Sequence, residues 1–445
     1  MSAAEQPEQA WLEELFEWLR IPSVSADPGH ADDVRRAGEW LCDFVRAAGG
    51  QATLAETQAQ PLSIGEIPAS GDGATAPTVL LYGHFDVQPA APLELWQSEP
   101  FEPEIRSDGY LYGRGAADDK GNSYLLLKAA AELARERALP VNVRIAFDGE
   151  EEVGGHSIES FLAADERGAD ACLIFDHVMP SEGVPSFALS TRGLVYYHVR
   201  VRTGERDLHS GLFGGAAMNA LHALQQALEA VVALPAALRA GVVPPSEEEL
   251  VSWRELAPGA VVLEEAGAVP ADARAAEDFY ARTFAGPAVD VHGITGGEPL
   301  LQKTVLPVRA EANVSIRLAP GQDVEEIAAV FEKLLREAAP VGAELEVEVW
   351  SSAPAGLIPP DAPAVRLAQD AFERVLGRRP LLERSGGTLP VVPALADKGI
   401  PTIITGFALP GSNIHSPNER LLVRNIPLGV KAARETLLAF AELPR

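Results

Sequence analysis

Short apolar strands that each end in polar side chains, with helices between them, constrain this chain more than any other feature. Residues 80–87 read LLYGHFDV, an apolar run of strand-forming residues that ends in a histidine and an aspartate. Residues 141–147 alternate as a strand and run into DGEEE, and residues 171–175 are apolar up to Asp176. This repetition of strand and helix predicts an α/β domain with a mostly parallel sheet flanked by helices.

The pattern changes near position 187, and this change predicts a second domain inserted into the first. In residues 194–202 apolar and polar side chains alternate, as in a strand with one exposed face. Further predicted elements are a helix around 221–231, a strand at 312–318, a helix at 323–338 and a strand at 344–350. Residues 244–299 are predicted to be irregular with one or two helices. The predicted domains are a catalytic domain in two parts, 1–187 and 353–445, and an inserted α+β domain at 188–352.

The charge balance and the cysteines narrow the possible functions. The formal net charge of −28 repels phosphate groups, so we expect no binding of nucleic acid or of anionic membrane surfaces. No apolar run reaches membrane-spanning length, and the N-terminus lacks the pattern of a secretory leader. The two cysteines, Cys42 and Cys172, are predicted to be buried thiols rather than a disulfide, which favours a reducing, cytoplasmic location.

Several residues that can bind metal ions lie at the ends of candidate strands or in the loops that follow. They are His84, Asp118, Glu151, Glu152, Asp176 and His415. The loops after parallel strands converge on one ligand crevice, so we expect these side chains to lie close together. Imidazole and carboxylate ligands without a thiolate suit zinc, manganese or cobalt. A carboxylate can bridge two cations, and one of the adjacent glutamates can bind metal while the other holds a water molecule.

Each of these residues also has an ordinary structural explanation when it is taken alone. A lone histidine near a strand end is more often a structural residue, an aspartate there is commonly a helix cap, and a run of glutamates is commonly a solvated turn. Their recurrence after successive strands favours a metal site over several unrelated explanations. Asp86 follows His84 by two residues, so it is close enough to orient the imidazole ring.

Four motifs resemble those of a known family. They are GHFDVQP at 83–89, GRGAADDKG at 113–121, DGEEE at 148–152 and DLHSG at 207–211. In this order they are similar to the zinc-dependent metallopeptidases that include carnosinase, succinyl-diaminopimelate desuccinylase and acetylornithine deacetylase. The similarity covers nearly the whole chain and is greatest to the cytosolic carnosinase-type dipeptidases. One departure is Asp148, where relatives often have glutamate.

The resemblance implies a dinuclear centre, with zinc as the expected metal and manganese or cobalt as alternatives. His84, Asp118 and Asp176 would hold one cation. Asp118, Glu152 and His415 would hold the other, so that Asp118 bridges the two.

The resemblance also implies roles for residues outside the ligand set. Glu151 would be the general base that deprotonates the attacking water and later protonates the leaving amine, and Asp86 would orient His84. The inserted domain would be a ferredoxin-like lid that carries a homodimer contact, with His209 reaching the partner subunit's site to polarise the scissile carbonyl. Arg317 would anchor the substrate carboxylate. Ser385, Gly386 and Gly387, followed by Thr388, would form a glycine loop whose backbone approaches the substrate.

Three functions remain open from the sequence. The leading one is hydrolysis of dipeptides or short peptides by a dinuclear metal centre. The alternative is an N-acyl-amino-acid deacylase or a carboxypeptidase with the same metal site. Within the family, aspartate rather than glutamate at position 176 accompanies peptidase specificity, which favours the first. A non-catalytic metal-binding protein is the third possibility, but binding alone needs no residue in the role of Glu151.

Overall fold

The computed structural model describes residues 6–387, 389 and 391–444. The chain divides into two compact units. The first consists of Met1–Leu189, Ile358–Glu383 and Ala394–Arg445, and the second of Ser190–Leu357 and Arg384–Pro393. Whether residues 188–352 act as a lid stays a prediction.

An eight-stranded mixed sheet forms the centre of the first unit. In spatial order its strands are Gln51–Ala55, Leu62–Ile67, Asn142–Asp148, Thr78–His84, Ala171–Phe175, Thr402–Thr405, Ser186–Ala188 and Leu381–Glu383. The four neighbouring strands from Asn142–Asp148 to Thr402–Thr405 run parallel. They are mostly apolar and almost wholly buried, as expected of parallel strands that are covered on both faces. The predicted α/β fold with a mostly parallel sheet is confirmed.

Helices and short sheets complete the first unit. Its α-helices are Gln9–Leu19, Ala31–Ala47, Lys120–Arg135, Ser157–Ala164, Pro363–Leu376 and Asn425–Ala439. A further helix, Val391–Asp397, is divided between the two units, with the boundary after residue 393. The helix Lys120–Arg135 packs beside the central strands and is buried along most of its length. Gly83 permits this packing, because a side chain at that position would collide with Ser123 and Phe147.

A small three-stranded sheet joins two segments that are distant in sequence. Its strands are Glu104–Ile105, Tyr110–Tyr112 and Arg420–Leu422. Tyr112 pairs with Arg420 across this sheet. The loop that follows Tyr112 and the loop that precedes Arg420 are therefore held side by side.

The second unit contains a four-stranded antiparallel sheet. In spatial order its strands are Ala288–Thr295, Arg309–Leu318, Gly193–Arg202 and Glu344–Ala353. The helices Ala220–Val232 and Val324–Ala338 pack on one face of this sheet, over a core that includes Val195, Tyr197 and Phe331. The order strand, helix, strand, strand, helix, strand is that of ferredoxin-like folds.

The two ends of the longer segment of this unit, residues 190–357, lie together. The short strand Ser190–Thr191 pairs with Gly356–Leu357. Within the first unit, the Ile358 N–H donates a 2.7 Å hydrogen bond to the Leu189 carbonyl.

The expectation for residues 244–299 was wrong in two respects. The segment contains three short helices rather than one or two, Glu247–Trp253, Gly259–Glu265 and Phe279–Thr283, and it also contains the edge strand Ala288–Thr295. This strand is exposed along most of its length, and its pairing is interrupted between Val291 and Gly293. An exposed, irregular edge strand lacks the continuous alternation by which strands are recognised in a sequence.

Two further predictions concern the cysteines and the membrane. Cys42 and Cys172 are both free and buried, as predicted. Among the described residues, none of the helices combines the length and the apolar character needed to cross a membrane.

The candidate metal centre

His84 ends a central parallel strand and lies directly opposite Asp148 in the register of the neighbouring strand. Its side chain is fully buried. The Nδ1 atom lies 3.0 Å from the carbonyl oxygen of Asp86 and 3.4 Å from the Oδ1 atom of that residue. The ring is thereby oriented so that Nε2 points to other carboxylates, as is common for histidines that bind metal.

The carboxylate of Asp118 lies between two imidazole rings. Its Oδ1 atom is 3.1 Å from Nε2 of His84, and its Oδ2 atom is 2.9 Å from Nε2 of His415. Asp118 is itself nearly buried, in the loop that precedes the helix Lys120–Arg135. One oxygen of Asp118 thus faces each ring.

Glu152 completes the contacts around His415. Its Oε2 atom lies 3.0 Å from His415 Nε2 and accepts a 2.8 Å hydrogen bond from the side-chain amide of Gln88. Its Oε1 atom is buried and has no hydrogen-bond partner among the described residues. Buried carboxylate oxygens are normally paired, so this atom is available to a ligand.

Asp86 organises the loop that carries the two glutamates. Its Oδ1 and Oδ2 atoms accept the backbone N–H groups of Glu151 and Glu152 at 3.2 and 3.1 Å. Asp86 is fully buried. It therefore contacts both the imidazole of His84 and the backbone that positions Glu151.

Asp176 follows the strand Ala171–Phe175 at the same sheet edge. Its Oδ2 atom lies 3.9 Å from Nε2 of His84, which is longer than a hydrogen bond. The next residue, His177, is 2.8 Å from the carboxylate of Glu383 and so turns to another partner. Asp176 and His84 therefore face each other without a direct hydrogen bond.

Burial and nearby charges shift the pKa values of the site. Burial alone would lower the pKa of His84, but hydrogen bonds to Asp118 and Asp86 raise it well above its usual value. Hydrogen bonds to Asp118 and Glu152 raise the pKa of His415 to about 10. Although Asp118 is buried, its two imidazole partners lower its pKa well below the usual range. The carboxylates around the two rings therefore stabilise positive charge at this place.

The remaining carboxylates are crowded. Burial raises the pKa of Glu151 to about 8, and the negative charges of Asp176 and Asp86 add to the shift. Burial and the charge of Asp118 raise the pKa of Asp176 to about 6. Several buried carboxylates close together disfavour ionisation unless positive charge is supplied.

These residues fit a divalent cation. Ligand atoms of His84, Asp118 and Glu152 all lie within 4.8 Å of one another. The set is made of imidazole and carboxylate groups, which suit zinc, manganese or cobalt. The unpartnered Oε1 atom of Glu152 and the crowding of carboxylates are both explained by a positive charge at this place.

Residues 80–439 match the model of Peptidase family M20/M25/M40. The chain belongs to this family. The matched range includes every residue of the metal centre, and it confirms the family resemblance of the sequence motifs. The protein is a metallopeptidase of family M20.

Curated relatives of this family member align along almost the full length of both chains. The cysteinylglycine-S-conjugate dipeptidase of Corynebacterium striatum is 28% identical, over 97% of this chain and 95% of the relative. The human Beta-Ala-His dipeptidase is 29% identical, over 97% of this chain and 90% of the relative. Among solved structures, the M20 metallo-carboxypeptidase Sso-CP2 of Sulfolobus solfataricus is 25% identical with a TM-score of 0.82, over 97% of this chain and 99% of that one.

The residues predicted to bind substrate belong to the second unit. His209 is exposed, begins the short helix Ser210–Phe213 and accepts the Gly211 N–H at Nδ1. Arg317 is half-buried on the strand Arg309–Leu318, opposite Leu194.

The glycine loop of this M20 member is held by a neighbouring arginine. The side chain and the backbone N–H of Arg192 donate to the carbonyl groups of Gly386 and Gly387 at 3.0 and 2.9 Å. Ser385 Oγ accepts the Gly387 N–H at 3.1 Å. Thr388 lies outside the described residues.

Sequence reasoning assigned no role to two residues that contact the metal centre. Gln88 lies in the motif at 83–89 and binds Glu152. Glu419 follows His415 by four residues and accepts the N–H of Asp118. Their polar character, close to a motif or a predicted ligand, is the only signal in the sequence. It does not reveal their partners, which lie 64 and 301 positions away.

Proposed function

We propose that this protein is a cytoplasmic, dinuclear metal-dependent hydrolase that cleaves the peptide bond of dipeptides or other short peptides. The observation that carries the proposal is the Asp118 carboxylate, which offers one oxygen on the side of His84 and the other on the side of His415. A carboxylate in this position suits a bridge between two cations. Free, buried thiols at Cys42 and Cys172 are compatible with a reducing compartment.

The ligands fall into two groups around Asp118. His84 and Asp176 would hold one cation together with Asp118, and Glu152 and His415 would hold the other. The distances from Nε2 of His84 to Asp176 and from Nε2 of His415 to Glu152 support this grouping. We propose zinc as the working metal, with manganese or cobalt as substitutes.

When bound, such cations polarise a carbonyl oxygen and make a bound water more acidic. The remaining chemistry belongs to the side chains. Glu151 would accept the proton of the attacking water and return it to the leaving amine. Burial raises the pKa of its carboxylate, and positive charge supplied beside it would lower that pKa and leave the carboxylate ionised, as a base requires. Asp86 would keep Glu151 in place through the backbone N–H that it accepts.

The second unit would supply substrate recognition. Arg317 would bind the free carboxylate of the peptide, since a guanidinium group pairs with a carboxylate through two parallel hydrogen bonds. The backbone of Ser385, Gly386 and Gly387 would approach the bound peptide. A requirement for a free carboxylate restricts the enzyme to substrates that end within reach of this arginine.

A specific observation favours a second candidate, a carboxypeptidase that removes the last residue of longer peptides. The structure of Sso-CP2 reaches a TM-score of 0.82 over nearly the full length of both chains. A carboxypeptidase would use the same metal centre and the same carboxylate anchor. It differs in accepting a blocked or extended amino terminus.

The two candidates are separated by a substrate panel. The protein is treated with chelator and then resupplied with zinc, manganese or cobalt. Hydrolysis is followed for dipeptides, dipeptide amides, tripeptides, N-acyl dipeptides and N-acetyl or N-succinyl amino acids. We expect cleavage of dipeptides that chelator abolishes and metal restores, and little cleavage of dipeptide amides. Cleavage of N-acyl dipeptides at the last residue would favour the carboxypeptidase. Cleavage of acyl amino acids alone would indicate a deacylase, and no turnover with any metal would contradict the proposal.

We also propose that the protein is a homodimer through the second unit, in which His209 enters the active site of the partner. His209 is exposed and pairs with Val305 in a two-stranded ribbon. Large apolar side chains on the adjoining segments are exposed as well, including Leu212 at 77% and Leu300 at 90%. Where such side chains lie side by side, they form the kind of apolar patch that another chain covers.

Mixing two inactive variants tests this dimer. His209→Ala and Glu151→Gln should each be inactive as homodimers. After the two are unfolded and refolded together, a heterodimer with two-fold symmetry contains one site with both residues, so about one quarter of normal activity should return. Unmixed samples taken through the same refolding are the control, and light scattering gives the mass. A monomeric mass, or no recovery in the mixture, would contradict the proposal.

A further inference from the structure

Four hydrogen-bond donors converge on the side chain of Glu419. Its Oε1 atom accepts the N–H groups of Ala117 and Asp118 at 2.8 and 3.0 Å. Its Oε2 atom accepts from the Arg114 guanidinium at 2.7 Å and from the Gly115 N–H at 3.1 Å. A carboxylate offers about four acceptor positions, so all of them are occupied here. Glu419 is fully buried and has no position left for a cation.

The same residue fixes the loop that carries His415. The backbone carbonyl of Glu419 accepts the Gly113 N–H at 3.0 Å. In the segment between the strand Thr402–Thr405 and Glu419, three residues have left-handed backbone conformations. They are Asn413, His415 and Asn418, with φ of 55°, 59° and 62°. Residues other than glycine keep such conformations only where their surroundings hold them. The anchor at Glu419 is one of those surroundings.

We propose that Glu419 is a positioning residue that sets the separation of Asp118 and His415. Its side chain binds the loop that carries Asp118, and Glu419 itself belongs to the loop that carries His415. This inference rests on the proposed metal centre. Glu419 does not touch a substrate or a cation. It acts through the backbone of Asp118, whose carboxylate lies 2.9 Å from His415.

The variant Glu419→Gln tests this role with little change in size. The side-chain NH2 group of glutamine would face two backbone N–H groups, which need an acceptor, so two of the four hydrogen bonds to this side chain are lost. The positive charge of Arg114 also loses its negative partner. We expect the affinity of the chelated protein for cobalt to fall by about 10–100-fold, as for other residues that support metal ligands. We also expect the visible absorption spectrum of bound cobalt to change, because the ligand geometry changes. Calorimetric titration and absorption spectroscopy measure the two effects.

Asp165→Asn is a matched control in the same unit. The two oxygens of Asp165 accept from the Arg144 guanidinium at 2.8 Å each, and one also accepts the Gly168 N–H at 3.1 Å. Arg144 lies near the start of the strand Asn142–Asp148, at the end opposite the metal centre. Asp165→Asn should lower the melting temperature but leave cobalt affinity and spectrum unchanged. Glu419→Asp keeps the charge and should recover part of the affinity.

Unchanged cobalt affinity and spectrum in Glu419→Gln, with a lowered melting temperature as in Asp165→Asn, would overturn the proposal and leave Glu419 a structural residue. If Glu419→Gln does not fold, the same two measurements on Glu419→Asp decide, with unchanged values overturning the proposal. Failure of the unaltered protein to bind cobalt would contradict the metal centre itself and, with it, the role of Glu419. Cobalt binding without peptide hydrolysis would contradict only the proposed substrates.

Discussion

Replacing Glu151 with glutamine is expected to reduce turnover of a dipeptide by about 10²–10⁴-fold, the usual contribution of a general acid–base residue. A neutral amide cannot accept the proton of the attacking water. The backbone N–H through which Asp86 holds this position is unchanged by the substitution. Metal content should therefore stay normal, and kcat should fall while metal affinity does not.

Glu150→Gln is the control for this prediction, because it alters the adjacent carboxylate. Glu150 is buried and accepts the N–H groups of Gln60 and Ser157 at 3.0 and 2.9 Å. Its loss should lower stability and reduce activity by less than about tenfold, since it supplies no group to the reaction. Steady-state kinetics and metal analysis of the two variants measure the loss of kcat and the metal content. Glu151→Gln that keeps most of its activity would rule out Glu151 as the base.

Replacing Asp118 with asparagine is expected to lower the affinity for both cations by at least about 100-fold, more than the loss of a residue that only supports a ligand. Asparagine carries no charge, and one of its two side-chain positions is an amide nitrogen that cannot bind a cation. The contacts to His84 and His415 are both altered by this single change. Calorimetric titration of the chelated protein gives the affinity and the number of cations bound.

His415→Ala provides the contrast to Asp118→Asn. Its side chain is 52% exposed, whereas that of His84 is fully buried. Removing it should eliminate one of two binding events and leave the other, held by His84, within about tenfold of normal. Equal losses in the two variants would contradict the bridging position of Asp118.

Much of the fold could be predicted because the strands are apolar and uninterrupted. Thr78–His84 and Ala171–Phe175 are buried on both faces, and residues 79–83 and 171–175 form apolar runs up to the sheet edge. The polar residues that follow mark the place where the strands meet solvent or ligand. The positions of His84 and Asp176 at one sheet edge follow from this pattern.

The contacts that set the geometry of the site could not be predicted in this way. The buried ion pair of Arg114 and Glu419 joins residues 305 positions apart, and neither has a local pattern that names its partner. The hydrogen bond from Gln88 to Glu152 depends on the register between two strands. Such contacts are decided by tertiary packing, for which a single sequence carries no periodic signal.

The strands Ser190–Thr191 and Gly356–Leu357 hold together the two ends of the longer segment of the second unit, residues 190–357. Closing a long loop lowers the conformational entropy of a chain by an amount that grows with the logarithm of loop length. Once residues 190–357 are folded, they bring their own ends together and remove most of this loss. The folding order with the lowest entropic cost therefore begins with this segment, and the eight-stranded sheet is completed afterwards.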